Sequence, residues 1–369
     1  MKMIKKSEIK GLLALLGIII VLALISMIIN GRVEQWFGIT WFSGASITDK
    51  IVFVADNEKS SDIYSISFSG ANKRKITTES KIIGIPTISP NGTRIAFISD
   101  DGKQTNLVSV DGRGEKKAQL SLTSGLKSKP SFSPDGKSIA YISSGKVYIS
   151  EAGGGKSSYS LPTDSELKKA MVARVAIPKY LDFAWTHESE GMIGVVSDSD
   201  GKFSLTYLPK FDSEAKILGP IPGKTVSFFG IAGASGEDIF VAAFDIDKQT
   251  HLVKYDAELD KFGIAAVFGE DELSKPAINS DGTKAIVALK RQRVLLAVDL
   301  ENGEITKIAD GLFTNLIFSP DDSFILALET TSENGLGDIV KINLADNNVN
   351  KLTEDSNVSS VTFAPPKKF

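Results

Sequence analysis

The pattern of apolar and polar residues changes character near residue 30. From Gly11 to Ile29 nearly every residue is Leu, Ile, Val or Ala, and no charge occurs between Lys10 and Arg32. In helical form at ~1.5 Å per residue this run reaches roughly 28 Å, one hydrocarbon core. Beyond residue 46 the apolar runs shorten to four to six residues. Clusters of Ser, Pro, Asp, Asn and Gly separate them. Short β-branched runs with turn residues every 8–12 positions predict antiparallel hairpins and an all-β domain.

These runs repeat. Ser89-Pro90-Asn91-Gly92 precedes Ile95-Ala96-Phe97-Ile98, and Ser133-Pro134-Asp135-Gly136 precedes Ile139-Ala140-Tyr141-Ile142. Ser280-Asp281-Gly282 and Ser319-Pro320-Asp321-Asp322 introduce later copies, with weaker ones at Glu190-Gly191 and Ser235-Gly236. The first apolar residues are Ile51, Ile95, Ile139, Ile193, Ile239, Ala285 and Ile325, at intervals of 44, 44, 54, 46, 46 and 40. Each copy continues with a turn, an alternating strand such as Ile63-Tyr64-Ser65-Ile66, and a short final strand such as Ile76-Thr77. Four strands in about 45 residues is the spacing of a propeller blade.

Residues 47–369 hold seven such units. The first lacks its own entering strand, and Val361-Thr362-Phe363-Ala364-Pro365 mimics the entering strand of the last unit. A seven-bladed β-propeller closed by this C-terminal strand is therefore expected. Val361, Phe363 and Pro365 are the ring-closing residues, and closure removes two sheet edges that would otherwise pair with other chains. The 54-residue interval holds an insertion, Asp164–Arg174, that reads as a capped helical turn or two. It is expected to be a lid, a docking element or a plain surface excursion.

The Ser-Pro-Asp-Gly-x-x-Ile-Ala-Phe/Tyr pattern, followed by an Ile-Tyr-like strand and a turn ending in Leu/Ile-Thr, resembles the WD-like propeller repeats of the TolB family. The likeness runs over residues 47–369 and is strongest in the units beginning at Pro86 and Lys129. It implies an extracytoplasmic binding or scaffolding propeller. Two departures, the apolar N-terminal run and the lack of a separate α/β domain before the repeats, keep a TolB-specific partner from carrying over.

Charge adds location. Lys2, Lys5, Lys6 and Lys10 precede the apolar run, offset only by Glu8. The positive-inside rule then places residues 1–10 as a cytoplasmic tail, 11–30 as a transmembrane anchor, and the rest outside a cell membrane. A cleaved signal peptide is the rival reading, but the run is longer than a signal core and Ser26–Asn30 is a poor cleavage site. The linker 31–46 carries Trp36, Phe37, Trp41 and Phe42. They fit a membrane-interface aromatic belt or rings packed beneath the propeller. Residues 31–369 hold 38 cations and 44 anions without a basic stripe, which argues against nucleic acid.

Candidate chemistry is sparse. No cysteine excludes disulfides, thiolate metal sites and a cysteine nucleophile. Ser150-Glu151-Ala152-Gly153-Gly154-Gly155-Lys156-Ser157 falls one glycine short of a phosphate loop and is followed by a strand. Gly233-Ala234-Ser235-Gly236-Glu237 lacks the last glycine of a nucleophile elbow. Asp198, Asp200, Asp245 and Asp247 read as hairpin turns rather than a calcium loop. His187 and His251 occupy positions expected to be polar and exposed, the latter matching Asp62, Asn106 and Asp338 in other units.

No catalytic, cofactor or metal site is therefore assigned. The expectation is a non-catalytic module binding a protein or envelope polymer, alone or in a larger envelope complex. Its loops Thr77–Ile85, Ser121–Lys129, Pro162–Tyr180, Gly219–Thr225, Gly269–Lys275 and Ala309–Asn315 would carry recognition. The alternative is an envelope hydrolase or lyase using two acidic residues in the propeller funnel, one with a raised pKa.

Overall fold

A computed structural model describes residues 45–78, 81–121, 124–153, 158–161, 177–210, 215–330, 335–354 and 357–367. The tail, the apolar run, Trp36, Phe37, Trp41, Phe42 and the 164–174 insertion lie outside these residues. Contacts divide the chain into two units, Met1–Ala45 and Ser46–Phe369. Among the described residues there are 28 strands, all in the second unit, and no helix.

The strands form antiparallel meanders of four. The second runs Ile82–Ile88, Ile95–Asp100, Thr105–Val110 and Ala118–Gln119, each paired with the next. The third begins at Lys127–Phe132, the fourth at Lys179–Trp185, the fifth at Val226–Gly233, the sixth at Ala277–Ile278 and the seventh at Phe313–Phe318. The first meander is assembled from both ends of the domain. Its entering strand is Val358–Phe363, paired antiparallel with Ile51–Asp56 through Ile51↔Phe363, Phe53↔Val361 and neighbours. The C-terminal strand thus lies where the entering strand of the first meander belongs. A single further bridge, Gly337↔Val358, joins the seventh meander to the first.

Burial explains the composition of each strand. The second strand of a meander has neighbouring sheets on both faces, so it reads as an unbroken apolar run: Ile51–Ala55, Ile95–Ile98 and Phe240–Phe244 are buried throughout. The fourth strands Arg74–Lys75 and Val349–Lys351 are exposed and mostly polar. Hydrophobic clusters sit between successive meanders. Val52 and Val54 pack with Ile95 and Phe97, Ala96 and Ile98 with Phe132 and Tyr141, and Ile286 with Phe318 and Ile325. The last such cluster joins Leu326 and Leu328 to Ile51, Phe53 and Val361. Phe363 is half-buried there and meets Phe68 and Phe324 edge-on, at ring-centre distances of 5.8 and 5.7 Å. Phe132 and Phe318 are buried in their own interfaces.

The repeated Ser-Pro-Asp-Gly motif is a turn that closes on itself. The Ser133 N–H donates to Ser138 O at 2.9 Å, its Oγ donates to Asp135, and the Ser138 N–H returns to Ser133 Oγ at 3.0 Å. Ser319, Asp321 and Phe324 repeat this set, as do Ser89, Asn91 and Arg94. The glycine adopts a left-handed backbone; a Cβ on Gly92 would lie 2.3 Å from Ile47 O. Ala364 N–H donates to Lys50 O in the same register, so the closing strand ends at the same turn position without the motif.

Two expectations need correction. The inter-meander loops are shorter than the sequence suggests, because strands begin inside them at Ile82, Lys127 and Lys179. His251 is buried, with 9% exposure, where an exposed residue was expected. Its third strand lies between two others, and the matching Asp62 is wholly buried. There Thr77 Oγ1 donates to Asp62 at 3.0 Å and accepts from the Ile63 N–H, while Lys75 pairs with Asp62 at 2.9 Å. Asp338, Thr353 and Lys351 make the same lock. In the fifth meander Ile264 and Ala266 replace the lysine and threonine positions, and His251 Nδ1–H donates instead to Gln249 O at 2.7 Å.

Candidate functional site: the axial layer

About four residues before the turn, six of the seven entering strands break register; the sixth, Ala277–Ile278, pairs without a shift. Shifts occur between Ile83 and Thr87, Ser128 and Ser131, Tyr180 and Asp182, Phe228 and Gly230, and Thr314 and Ile317. The closing strand shifts opposite Val54/Ala55. Such bulges re-aim side chains. Counting back four from Ser89, Ser133, Thr186, Ala234, Asn279, Ser319 and Ala364 gives Ile85, Lys129, Asp182, Gly230, Lys275, Asn315 and Ser360. Three of them, Ile85, Lys275 and Asn315, line a cavity of about 520 Å³ together with Leu316 and Val361 among others.

Three of these residues form one charged cluster. Asp182 is 1% exposed, and its Oδ2 lies 3.0 Å from Lys129 Nζ and 3.3 Å from Lys275 Nζ. The Ile231 N–H also donates to Oδ2, at 3.4 Å, and the Phe183 N–H donates to Oδ1 at 3.0 Å. Lys275 belongs to the sixth meander and reaches Asp182 in the fourth by crossing Gly230 in the fifth. A Cβ at Gly230 would stand 2.6 Å from Lys275 Cγ. Lys129 sits in a left-handed backbone conformation (φ 54°), and its ammonium lies 5.9 Å from the centre of the Phe228 ring.

The electrostatics follow from this packing. Burial pushes the Asp182 carboxyl up, but the Lys275 and Lys129 ammonium groups and the N–H donors outweigh it, so it titrates below the usual carboxylate range. Burial pulls the Lys129 ammonium down, Lys275 adds to this, and Asp182 opposes it. Asp182 is thus a saturated, ionised acceptor. Asn315 and Ser360 are also committed: Asn315 exchanges two hydrogen bonds with the Val361 backbone, and Ser360 Oγ donates to Gly84 O.

The other sequence candidates lie elsewhere. His187 is exposed and lines a second cavity of about 660 Å³ with Glu188, Glu190, Asp238, Tyr207 and Tyr255. Burial, Glu190 and Asp238 raise the Tyr207 hydroxyl. Ser235 lines the axial cavity at the turn end. Asp198 accepts backbone N–H groups inside its own hairpin turn, Asp247 accepts those of Lys224 and Thr225 from the segment before the fifth meander, and Asp245 accepts from Lys248 N–H. Gly154–Ser157 falls outside the described residues. Among those described, every carboxyl displaced from its usual value is displaced downward, as for Asp101, Asp135, Asp260, Asp281 and Asp299. Sequence reading missed Lys129, Asp182 and Lys275 as a group. The available signal was their shared offset from the turn, not their chemistry.

No protein-family model and no curated protein matches the sequence. Solved structures do. A protein from Lactobacillus plantarum gives a TM-score of 0.61 at 10% identity, over 85% of this chain and 99% of that one. A prolyl endopeptidase gives 0.60 at 11% identity, over 84% of this chain and 49% of that one. TolB from Acinetobacter baumannii gives 0.51 at 15% identity, over 86% and 67% respectively. At these identities the likeness concerns fold alone. The fold is a β-propeller resembling that of TolB.

Proposed function

We propose that the chain is a membrane-anchored, extracytoplasmic propeller that binds a protein or an envelope polymer and performs no chemistry of its own. In this reading the 28 strands, four to a blade, make seven blades, and residues 11–30 hold them to the membrane. The observation that carries it is the axial layer, where Asp182, the sole carboxylate among the seven positions four residues before the turns, has both oxygens taken and its charge fixed. General acid–base chemistry needs a carboxyl poised near the working pH, usually with a second one 5 to 10 Å away. Ile83, Ile85 and Leu126 are 44%, 42% and 75% exposed on, or just before, two neighbouring entering strands. Exposed aliphatic side chains around a funnel suit a macromolecular partner.

A photo-crosslinking residue placed at Leu126 in intact cells tests this. A discrete crosslinked protein or polymer, with protease reaching the propeller only after the outer layer is opened, is the expected result. Hydrolysis of an envelope glycan or peptide by the purified chain, abolished by Asp182→Asn in a folded protein, would establish the hydrolase alternative instead.

A further inference from the structure

The axial cluster also specifies the chemistry of a ligand, a step that rests on the binding reading. One carboxylate, Asp182, holds two ammonium groups, so the cluster keeps one positive charge in excess. A structural ion pair needs no second lysine. A lysine carries three donors, and beyond Asp182 neither Lys129 nor Lys275 has another hydrogen-bond acceptor among the described residues. Both are open: 41% of the Lys129 side chain and 45% of the Lys275 side chain meet solvent. Both ammonium groups touch the same oxygen, close enough together for one further carboxylate to bridge them. The neighbouring Asn315 and Ser360 are spent on backbone, so they do not compete for such a group.

Charge selects the ligand. A monoanion cancels the excess, whereas a phosphate dianion would reverse it beside the cavity that Lys275 lines with Ile85, Pro276 and Leu316. We propose that Lys129 and Lys275, positioned by Asp182, bind a single carboxylate group. That group belongs either to an acidic side chain of the partner or to a small free acid.

The test uses the full-length chain in detergent micelles with ¹³Cε-labelled lysine, followed by NMR during titration with acetate. Lys129→Gln and Lys275→Gln assign the two signals, and thermal melting checks that each variant folds. The Lys129 and Lys275 signals are expected to saturate at an acetate concentration at least tenfold below that needed for the exposed Lys103 and Lys137. Inorganic phosphate is expected to compete no better than acetate. A doubly capped peptide with one glutamate, compared with its glutamine counterpart, separates the sources. Matching saturation by the glutamate peptide points to a side chain, and saturation by acetate alone points to a small acid. The site is disproved if both signals track Lys103 and Lys137, or if the folded glutamine variants bind acetate as the parent does. Crosslinking at Leu126 checks the binding reading independently: its failure beside intact acetate saturation would remove that reading and leave the site.

Discussion

Two positions four residues apart on each entering strand behave oppositely. At the turn the residues recur as Ser, Asn, Thr or Ala with the same backbone bond five residues on, and several turns also grip their neighbours. Asp135 N–H donates to Ser189 Oγ, His187 N–H to Asp238, Gly236 N–H to Ser280 O, and Ser280 N–H to Asp322. Four residues earlier the same register holds Ile85, Lys129, Asp182, Gly230, Lys275, Asn315 and Ser360, with little chemistry in common. The repeated position fastens the ring, and the varied position furnishes its interior. A motif's visibility in a repeat protein is therefore a guide to scaffold, and recognition is found where the repeat changes.

The contrast can be broken hardest at the closure. Deleting Ser359–Phe369 removes most of the strand paired with Ile51–Asp56, together with Val361 and Phe363. The expected outcome is loss of the cooperative melting transition and an insoluble product, read by circular dichroism and sedimentation. A soluble deletion with the parent's melting point would refute closure. Acid attacks the turns collectively. Asp281 is held below the ordinary carboxyl value of 3.8 by the Thr283 hydroxyl and N–H, and Asp321 by the Ser319 and Ser323 hydroxyls. A lowered carboxyl value stabilises the fold in full above 3.8, and that share is lost as pH falls through the value in the folded state. Melting points should hold steady down to about pH 4.5 and then fall steeply.

At the axial layer the sharper probe is Gly230→Ala. Its methyl meets the Lys275 side chain, so the cost is about 1–3 kcal/mol, and Lys275 is pushed away from Asp182. Acetate binding should weaken in parallel with the melting point. Unchanged acetate affinity would show that Lys275 does not need its path over Gly230. The histidines give the smallest effect. His251→Asn should cost about 1 kcal/mol through lost packing and its bond to Gln249, and His187→Asn less than about 0.5 kcal/mol at an exposed site. Both variants should keep Leu126 crosslinks, and a loss in either would assign that imidazole a part in binding.

Strand order and closure were readable because they follow from period and repeat length: Ile51 to Ile325 fall on the second strand of each meander, and Val361–Pro365 copies an entering strand. The burial of His251 and Asp62 was not. An isolated polar residue at a strand start looks exposed, and the partners that help cover it include ones thirteen and fifteen residues on, such as Lys75 and Thr77. The charged cluster was hidden for a related reason. Its lysines and aspartate are 53 and 93 residues apart in sequence, and the bulges at Lys129 and Asp182 leave no compositional mark.

The closing strand also has a consequence in time. Strands elsewhere in the domain pair with neighbours a few residues away, so the other meanders can form from local contacts. The contact of Lys367 with Asp49 joins residues 318 apart. Its loop-closure entropy is the largest in the domain, and local pairing of the intervening meanders shortens the span that must be closed. The first meander is thereby made the last to complete, and until then Ile51–Asp56 presents an apolar edge with no entering strand beside it.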